Sequence, residues 1–211
     1  MDQRGQIKNL FSESELDSLV QILSKMPVIE AGNNMCHGVN ESHIMYNWFK
    51  KQCFSRIQDL FGDDCKLVFG MYLVENKPWG IHTDSYHCDS FDDRQPFMSM
   101  LIPYSVDFKK ELCNQSATIM FQESLHDLNI FDNAKISTWA QTSSASDHYK
   151  KYLSHNRQIV VDALTLDKIF QWNLGDLIYW NSYLYHDTDN FIKNGFSSKQ
   201  AIVLHTYKRI E

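Results

Sequence analysis

The stretch LVFGMYLVENKPWGIHTD, residues 67–84, decides the fold of this chain. It begins with a run of apolar and aromatic residues typical of a strand, passes through a turn and a second short strand, and ends in His82-Thr83-Asp84. In a strand, residues i and i+2 point to the same face, with Cα atoms roughly 6.6 Å apart. An imidazole and a carboxylate placed in this way can converge on one metal ion.

An isolated histidine–carboxylate pair is a weak signal, since the chain has nine histidines and a second pair, His87-Cys88-Asp89, follows the first. The downstream sequence favours the first pair. In GDLIYWNSYLYHDTDNF, residues 175–191, a Gly-Asp turn precedes a short strand and His186. A second histidine added to His82 and Asp84 completes a two-histidine, one-carboxylate set, which leaves three positions of an octahedral Fe(II) open.

After a further polar turn, KQAIVLHTY at residues 199–207 supplies a strand that opens with Lys199. With this arrangement the chain resembles the 2-oxoglutarate-dependent Fe(II) oxygenases, in particular their prolyl-hydroxylase-like and phytanoyl-CoA-dioxygenase-like members. Their pattern is HxD, a long gap, a distal histidine after a Gly-Asp strand, and a basic residue soon afterwards. The resemblance covers about residues 66–208 and implies a mainly β fold with flanking α-helices: a double-stranded β-helix of the jelly-roll, cupin-like type.

The resemblance also implies roles for particular residues. His82, Asp84 and His186 would ligate Fe(II), and Lys199 would pair with the distal carboxylate of the cosubstrate 2-oxoglutarate. Tyr72 lies ten positions before His82, where prolyl-hydroxylase-like members often have a tyrosine that binds the same carboxylate.

The basic position departs from the family pattern. Most relatives have arginine where this chain has Lys199, and lysine offers a point charge in place of a bidentate fork. Many relatives also carry a small hydroxyl residue two positions later, where Ala201 stands here. Lys193, Ser197 and Ser198 therefore remain alternative contributors to cosubstrate binding.

Periodicity predicts two N-terminal helices, over about 13–25 and 41–61. Ser12 and Glu15 form a capping-box pattern before the first helix, and Gly62 ends the second. Strand-like segments then occupy 66–74, 79–83, 97–104, 117–122, 157–162, 177–181 and 199–207. The polar region 123–155, with a short helix at 147–154, is interpreted as an insertion that serves as a lid or substrate loop.

Composition limits the function classes. The 211 residues suit one domain, 1–211, and 20 Lys+Arg against 26 Asp+Glu give a net charge of −6, which disfavours nucleic-acid binding. The five cysteines form no CxxC motif, which argues against a disulfide framework. No signal peptide or membrane helix is evident, so the sequence predicts a cytoplasmic protein and indicates nothing about its oligomeric state.

The resulting hypothesis is a 2-oxoglutarate-dependent dioxygenase, a hydroxylase that uses Fe(II) and O2 on a small molecule or a peptide side chain. One alternative is a cupin-like metal- or ligand-binding module without oxygenase activity, which has no need for Lys199. Another is a structural protein whose HxD pair is accidental. Trp79 is close enough to the motif to line a pocket, whereas Trp180 and His205 are interpreted as packing residues.

Overall fold

Two antiparallel sheets face each other in the computed structural model, which describes residues 3–31, 34–85, 93–125 and 149–210. The larger sheet has seven strands in the spatial order β1 (Arg4–Ile7), β8 (Leu177–Asn181), β5 (Arg94–Val106), β10 (Lys199–Arg209), β4 (Lys66–Glu75), β3 (Asn34–Asn40) and β2 (Val28–Ala31). The smaller sheet has the order β7 (Leu166–Gln171), β6 (Ala117–Ser124) and β9 (Leu184–Thr188). Both sheets contribute to one apolar cluster between them, as in the predicted jelly roll.

The helical segments of the described residues are short. They are α1 (Glu13–Leu23), α2 (Tyr46–Phe49), a π-helical stretch (Lys50–Phe54), α3 (Ser55–Phe61), a 3-10 helix (Lys110–Gln115), a second π-helical stretch (Tyr149–Leu153) and α4 (Gln158–Asp162). None of the helices in this part of the chain is long and apolar enough to cross a membrane.

The helix predicted at 13–25 is confirmed as α1. The Ser12 side chain accepts the backbone N–H of Glu15, and the Glu15 carboxylate accepts the backbone N–H of Ser12. This capping box satisfies two backbone donors that a helix start otherwise leaves unpaired. The buried face of α1 carries Leu16, Leu19 and Leu23, which pack against the larger sheet.

The helix predicted at 41–61 begins later, at Tyr46, and continues without interruption through a π-helical stretch to Phe61. It packs closely on β4 because Gly70 has no side chain. A Cβ atom at Gly70 would lie only 2.1 Å from the ring of Phe49, which is fully buried. Gly70 therefore fixes how near the helix approaches the sheet.

Two predicted strands are wrong. Residues 79–83 form only an isolated bridge at His82, and residues 157–162 form the helix α4 in place of a strand. A short apolar run such as Ile159–Val161 fits either structure, so periodicity alone cannot separate them. Among the described residues, five strands were not predicted: β1, β2, β3, β7 and β9.

The larger sheet therefore extends beyond the predicted 66–208 core, since β1, β2 and β3 precede that range. Most of the predicted insertion 123–155 lies outside the described residues, as do His87 and Asp89. Its described end contains the π-helical stretch Tyr149–Leu153, close to the helix predicted at 147–154. The interpretation of 1–211 as one domain stays a prediction.

We expect Gly70→Ala to destabilise the fold by about 1–3 kcal/mol, because the added methyl group overpacks the Phe49 contact. Chemical denaturation monitored by circular dichroism measures this change. Gly38→Ala on the neighbouring strand is the control, since a Cβ there would meet its nearest atoms at an ordinary 3.7 Å. Equal stability losses in the two variants would contradict the close approach at Gly70.

Candidate metal centre

The structure brings His82, Asp84 and His186 together. One ligand atom from each lies within 4.8 Å of the others. The Nε2 atom of His82 is 3.7 Å from Asp84 Oδ1, and the Nε2 atom of His186 is 3.4 Å from Asp84 Oδ2. The three side chains predicted from the sequence as metal ligands therefore form one cluster.

Backbone pairing holds this cluster in place. His82 donates its backbone N–H to the carbonyl of His186 at 3.1 Å, and His186 donates to the carbonyl of His82 at 3.0 Å. The backbone N–H of Asp84 donates to the carbonyl of Ser182 at 2.9 Å. The segment that carries the HxD pair is thus attached to β9 and to the turn before it, although it forms no regular strand.

The histidine rings point their Nε2 atoms into the site. His82 Nδ1 lies 2.6 Å from the carbonyl oxygen of Gly80, and His186 Nδ1 lies 3.1 Å from the carbonyl oxygen of Leu184. A carbonyl only accepts, so each Nδ1 carries a hydrogen, and Nε2 is the ring atom left to face a metal. Histidine ligands are typically oriented by such a second hydrogen bond.

Asp84 is buried and oriented by its neighbours. Trp180 donates its indole N–H to Asp84 Oδ2 at 3.2 Å. Burial by itself raises the pKa of Asp84, but the facing imidazoles, His186 foremost, and a Ser99 hydrogen bond outweigh it and hold the pKa below its usual range. Ser99 is in turn 3.2 Å from Nδ1 of His205. The carboxylate is therefore kept ionised, the form that a metal binds.

The cluster lines a cavity of about 290 Å³ between the sheets. Lys199, Val203 and His205 of β10 also line this cavity, as does Trp79 at its more exposed side. Lys199 and His205 are six residues apart on one strand, which is about 20 Å along the strand axis. His205 lies on the side of the metal cluster, and Lys199 lies toward the other end.

Lys199 is almost completely buried, with 1% of its surface exposed. Its Nζ atom is 3.5 Å from a carboxylate oxygen of Glu75 and 3.5 Å from one of Asp189, and it lies 4.3 Å from the centre of the Trp172 ring. The structure thus brings Lys199 into the cavity that holds the metal-ligand candidates. Its role as a cosubstrate anchor stays a prediction.

The structure does not bring Tyr72 into this cavity. Side chains alternate along β4, so Met71, Leu73 and Glu75 line the cavity while Tyr72 points to the opposite face of the sheet. There Tyr72 packs in the cluster under the N-terminal helices, with its ring 6.3 Å from that of Tyr104.

The alternative contributors near Lys199 also point elsewhere. Lys193 is exposed, and the backbone N–H groups of Ser197 and Ser198 donate to the carboxylate of Asp107 at 2.7 and 2.9 Å. None of these three residues lines the cavity.

The sequence missed several residues of the site. Glu75 lines the cavity opposite Lys199, and Asp187 lines it as well. The Asp187 carboxylate accepts a hydrogen bond from Asn156 Nδ2 at 2.5 Å and lies 3.1 Å from His155 Nε2. Trp180 was interpreted as packing, yet it binds Asp84. The sequence does offer one signal for Glu75, because it is a charged residue at the end of an apolar strand. Its pairing with Lys199 depends on the register of β4 against β10 and cannot be read from the sequence.

No protein-family model matches the sequence, and no curated protein is similar to it in sequence. Solved structures do match. HygX from Streptomyces hygroscopicus, with nickel and 2-oxoglutarate bound, aligns at a TM-score of 0.53 and 12% identity, over 98% of this chain and 82% of that one. The 2-oxoglutarate-dependent epimerase SnoN of nogalamycin biosynthesis aligns at 0.58 and 11%, over 98% and 78%.

A prolyl-4-hydroxylase from Pseudomonas putida aligns at a TM-score of 0.51 and 8% identity, over 99% of this chain and 94% of that one. The fold is therefore the jelly-roll, double-stranded β-helix of the 2-oxoglutarate-dependent Fe(II) oxygenases. The fold class predicted from the sequence is confirmed. The alignments include the N-terminal helices, since they span nearly the whole chain.

We expect His82→Ala to lower the affinity for Mn(II) or Co(II) by about 100-fold or more, because loss of a ligand exceeds the 10–100-fold cost of losing an outer-shell contact. Calorimetric metal titration measures the change. His37→Ala is the control, because the ring of His37 lies 3.0 Å from the carbonyl of Met26, away from the cavity. A similar loss in the control would mean that the metal binds elsewhere.

Trp180→Phe should weaken Mn(II) binding by about 10-fold, since it keeps an aromatic ring but removes the N–H that orients Asp84. Trp172→Phe also loses a buried indole hydrogen bond, to Thr118 at 2.9 Å, but not one to a ligand. We expect its metal affinity to equal that of the wild type. If both variants bind Mn(II) as tightly as the wild type, Trp180 does not position the carboxylate.

Proposed function

We propose that this protein is a mononuclear, Fe(II)- and 2-oxoglutarate-dependent dioxygenase that oxidises a small organic molecule, most simply by hydroxylation. One observation carries the proposal: two histidine Nε2 atoms and one buried carboxylate converge at a cavity whose other end holds a buried lysine. Such a site would lie between the two sheets, where a metal and a cosubstrate could bind side by side.

The donor set fits Fe(II). Two imidazoles and one carboxylate are the ligands of mononuclear non-haem iron sites that keep open positions for other molecules. His82 and His186 would each supply Nε2, and Asp84 would supply a carboxylate oxygen held by Trp180. When bound, iron and 2-oxoglutarate supply the activation of dioxygen, and the protein orients the reactants and excludes water.

Lys199 would bind the far carboxylate of 2-oxoglutarate. In a poorly hydrated cavity a carboxylate requires a charged partner, and an ammonium group provides a charge-assisted hydrogen bond. The ammonium lies over the Trp172 ring, whose face attracts a cation and limits where the lysine can point.

The cavity walls support a small, partly apolar substrate. Phe69, Met71, Leu101 and Val203 line the cavity, and Trp79, 36% exposed, stands at its edge. One of the HygX structures contains the small molecule hygromycin B. The similar structures include an epimerase as well as a hydroxylase, so the hydroxylation step is our proposal and product analysis tests it. We likewise propose O2 as co-reactant and the cytoplasm as the location.

The proposed function predicts an anaerobic visible charge-transfer band when Fe(II) and 2-oxoglutarate are added together, and succinate release when O2 and a substrate from a small-molecule library follow. Metal binding without this band, and without succinate from any substrate, would favour the cupin-like binding module.

Lys199→Ala should raise the dissociation constant for 2-oxoglutarate by about 30-fold or more, because truncating one partner of a buried charge pair costs about 2–5 kcal/mol. Metal binding should persist, since Lys199 is not a ligand. Lys199→Arg should keep most of the affinity for 2-oxoglutarate, which would show that the loss in the alanine variant does not come from misfolding. Lys193→Ala in the exposed turn is the control. If only the Lys193 variant loses affinity for 2-oxoglutarate, Lys193 and not Lys199 is the anchor.

A further inference from the structure

The cavity end that holds Lys199 already contains a carboxylate. Glu75 ends β4 directly opposite Lys199 in the register of β4 and β10, and both residues line the cavity. The Oε2 atom of Glu75 is 3.5 Å from Lys199 Nζ, and its Oε1 atom accepts the backbone N–H of Trp79 at 3.1 Å. Glu75 thus occupies the place beside the ammonium that an incoming carboxylate needs.

The second carboxylate beside Lys199 has a different role. Asp189 accepts from Ser116 Oγ at 2.6 Å and from the backbone N–H of Ala117 at 3.2 Å, and it does not line the cavity. Asp189 therefore has hydrogen-bond partners of its own outside the cavity. Counted with their formal charges, Asp189 and Lys199 offset each other before Glu75 is added.

With Glu75 ionised, the formal charges of Lys199, Asp189 and Glu75 sum to −1 at the Lys199 end of the cavity. The carboxylate of a bound cosubstrate would bring this sum to −2. Buried charges are tolerated only when they are paired. A neutral Glu75 removes the conflict, because a protonated carboxyl group also donates one hydrogen bond.

The surroundings of Glu75 favour this neutral form. Burial raises the pKa of Glu75, the charge of Lys199 and the Trp79 N–H oppose the rise, and the carboxylates of Asp187 and Asp189 add to it; the net direction is upward. Cys36, which reaches the cavity from β3, is also titratable, and burial raises its pKa, so it adds no charge at neutral pH.

We propose that Glu75 is a proton-dependent co-anchor of the cosubstrate. Binding of 2-oxoglutarate at Lys199 requires protonated Glu75, whose carboxyl O–H donates to the bound carboxylate. Above the free-state pKa of Glu75, binding is therefore coupled to the uptake of one proton from solvent. Lys199 supplies the charge and Glu75 supplies the second hydrogen bond. This inference rests on the proposed function, and it names a residue that sets the pH range over which the cavity binds the cosubstrate.

The direction of the pH effect follows from linkage. The bound anion stabilises protonated Glu75, so the pKa of Glu75 is higher in the complex than in the free protein. Affinity for 2-oxoglutarate is then constant below the free-state pKa and falls up to about tenfold per pH unit above it. The opposite trend would require a group that releases a proton on binding.

The test is calorimetric titration of 2-oxoglutarate into the Mn(II)-loaded protein over a pH series, in buffers of different ionisation enthalpy. The wild type should take up close to one proton as the pH rises past the free-state pKa of Glu75. Glu75→Gln should show no linked uptake, and at high pH it should bind at least about tenfold more tightly than the wild type. Glu41→Gln is the matched control, because Glu41 pairs with Arg94 outside the cavity.

The outcomes separate the two proposals. If the Mn(II)-loaded wild type binds 2-oxoglutarate without proton uptake, or if Glu75→Gln keeps the wild-type pH dependence, the co-anchor role fails while the proposed function stands. If 2-oxoglutarate does not bind at any pH although Mn(II) does, both fail. The proton count of the wild type needs no variant, so the test survives even if Glu75→Gln does not fold.

Discussion

The pairing of β10 with β4 and β5 is the constraint on which the rest of the site depends. β10 lies at the centre of the larger sheet, and its side chains alternate between the cavity and the helix-covered face. The register sets Lys199 opposite Glu75 and His205 opposite Phe69, and all four side chains reach the cavity. A slip of β10 by one residue would turn Lys199 and His205 to the other face, away from Glu75 and Phe69.

This register concentrates charge where a protein interior usually excludes it. A buried lysine between two carboxylates stabilises a fold less well than apolar side chains of similar volume, because desolvation offsets much of the attraction. The same holds for Asp84, which is buried beneath two imidazoles. Stability alone therefore gives no reason for these residues, whereas the proposed binding of a metal at one end of the cavity and an anion at the other would.

The sequence allowed prediction of those parts of the site that depend on local geometry. His82 and Asp84 are two positions apart, and the Gly-Asp turn before a short strand marks the approach to His186, so their type and spacing carry the information. The side chain of Tyr72 lies outside the cavity because residues alternate along β4, and this alternation puts Met71 and Leu73 into the cavity.

Longer-range features could not be predicted in this way. Glu75 pairs with Lys199, which is more than a hundred residues away in the sequence, and it is the register of β4 and β10 that brings the two together. The strands β1 and β2 contain four residues each, too few for a clear alternation, and they form because β8 and β3 offer partners. The residues of α4 are equally compatible with a strand until packing decides between the two.

The two ends of the cavity are joined by one short segment, residues 76–81. Within it, the backbone N–H of Trp79 donates to Glu75, and the carbonyl of the next residue, Gly80, orients the ring of His82. The Trp79 carbonyl also lies 2.9 Å from His155 Nε2. Any movement of Glu75 that admits the proposed cosubstrate carboxylate would therefore act on the backbone that also holds His82. The two contacts are made by adjacent residues, so the Lys199 end and the metal-ligand end of the cavity share one stretch of backbone.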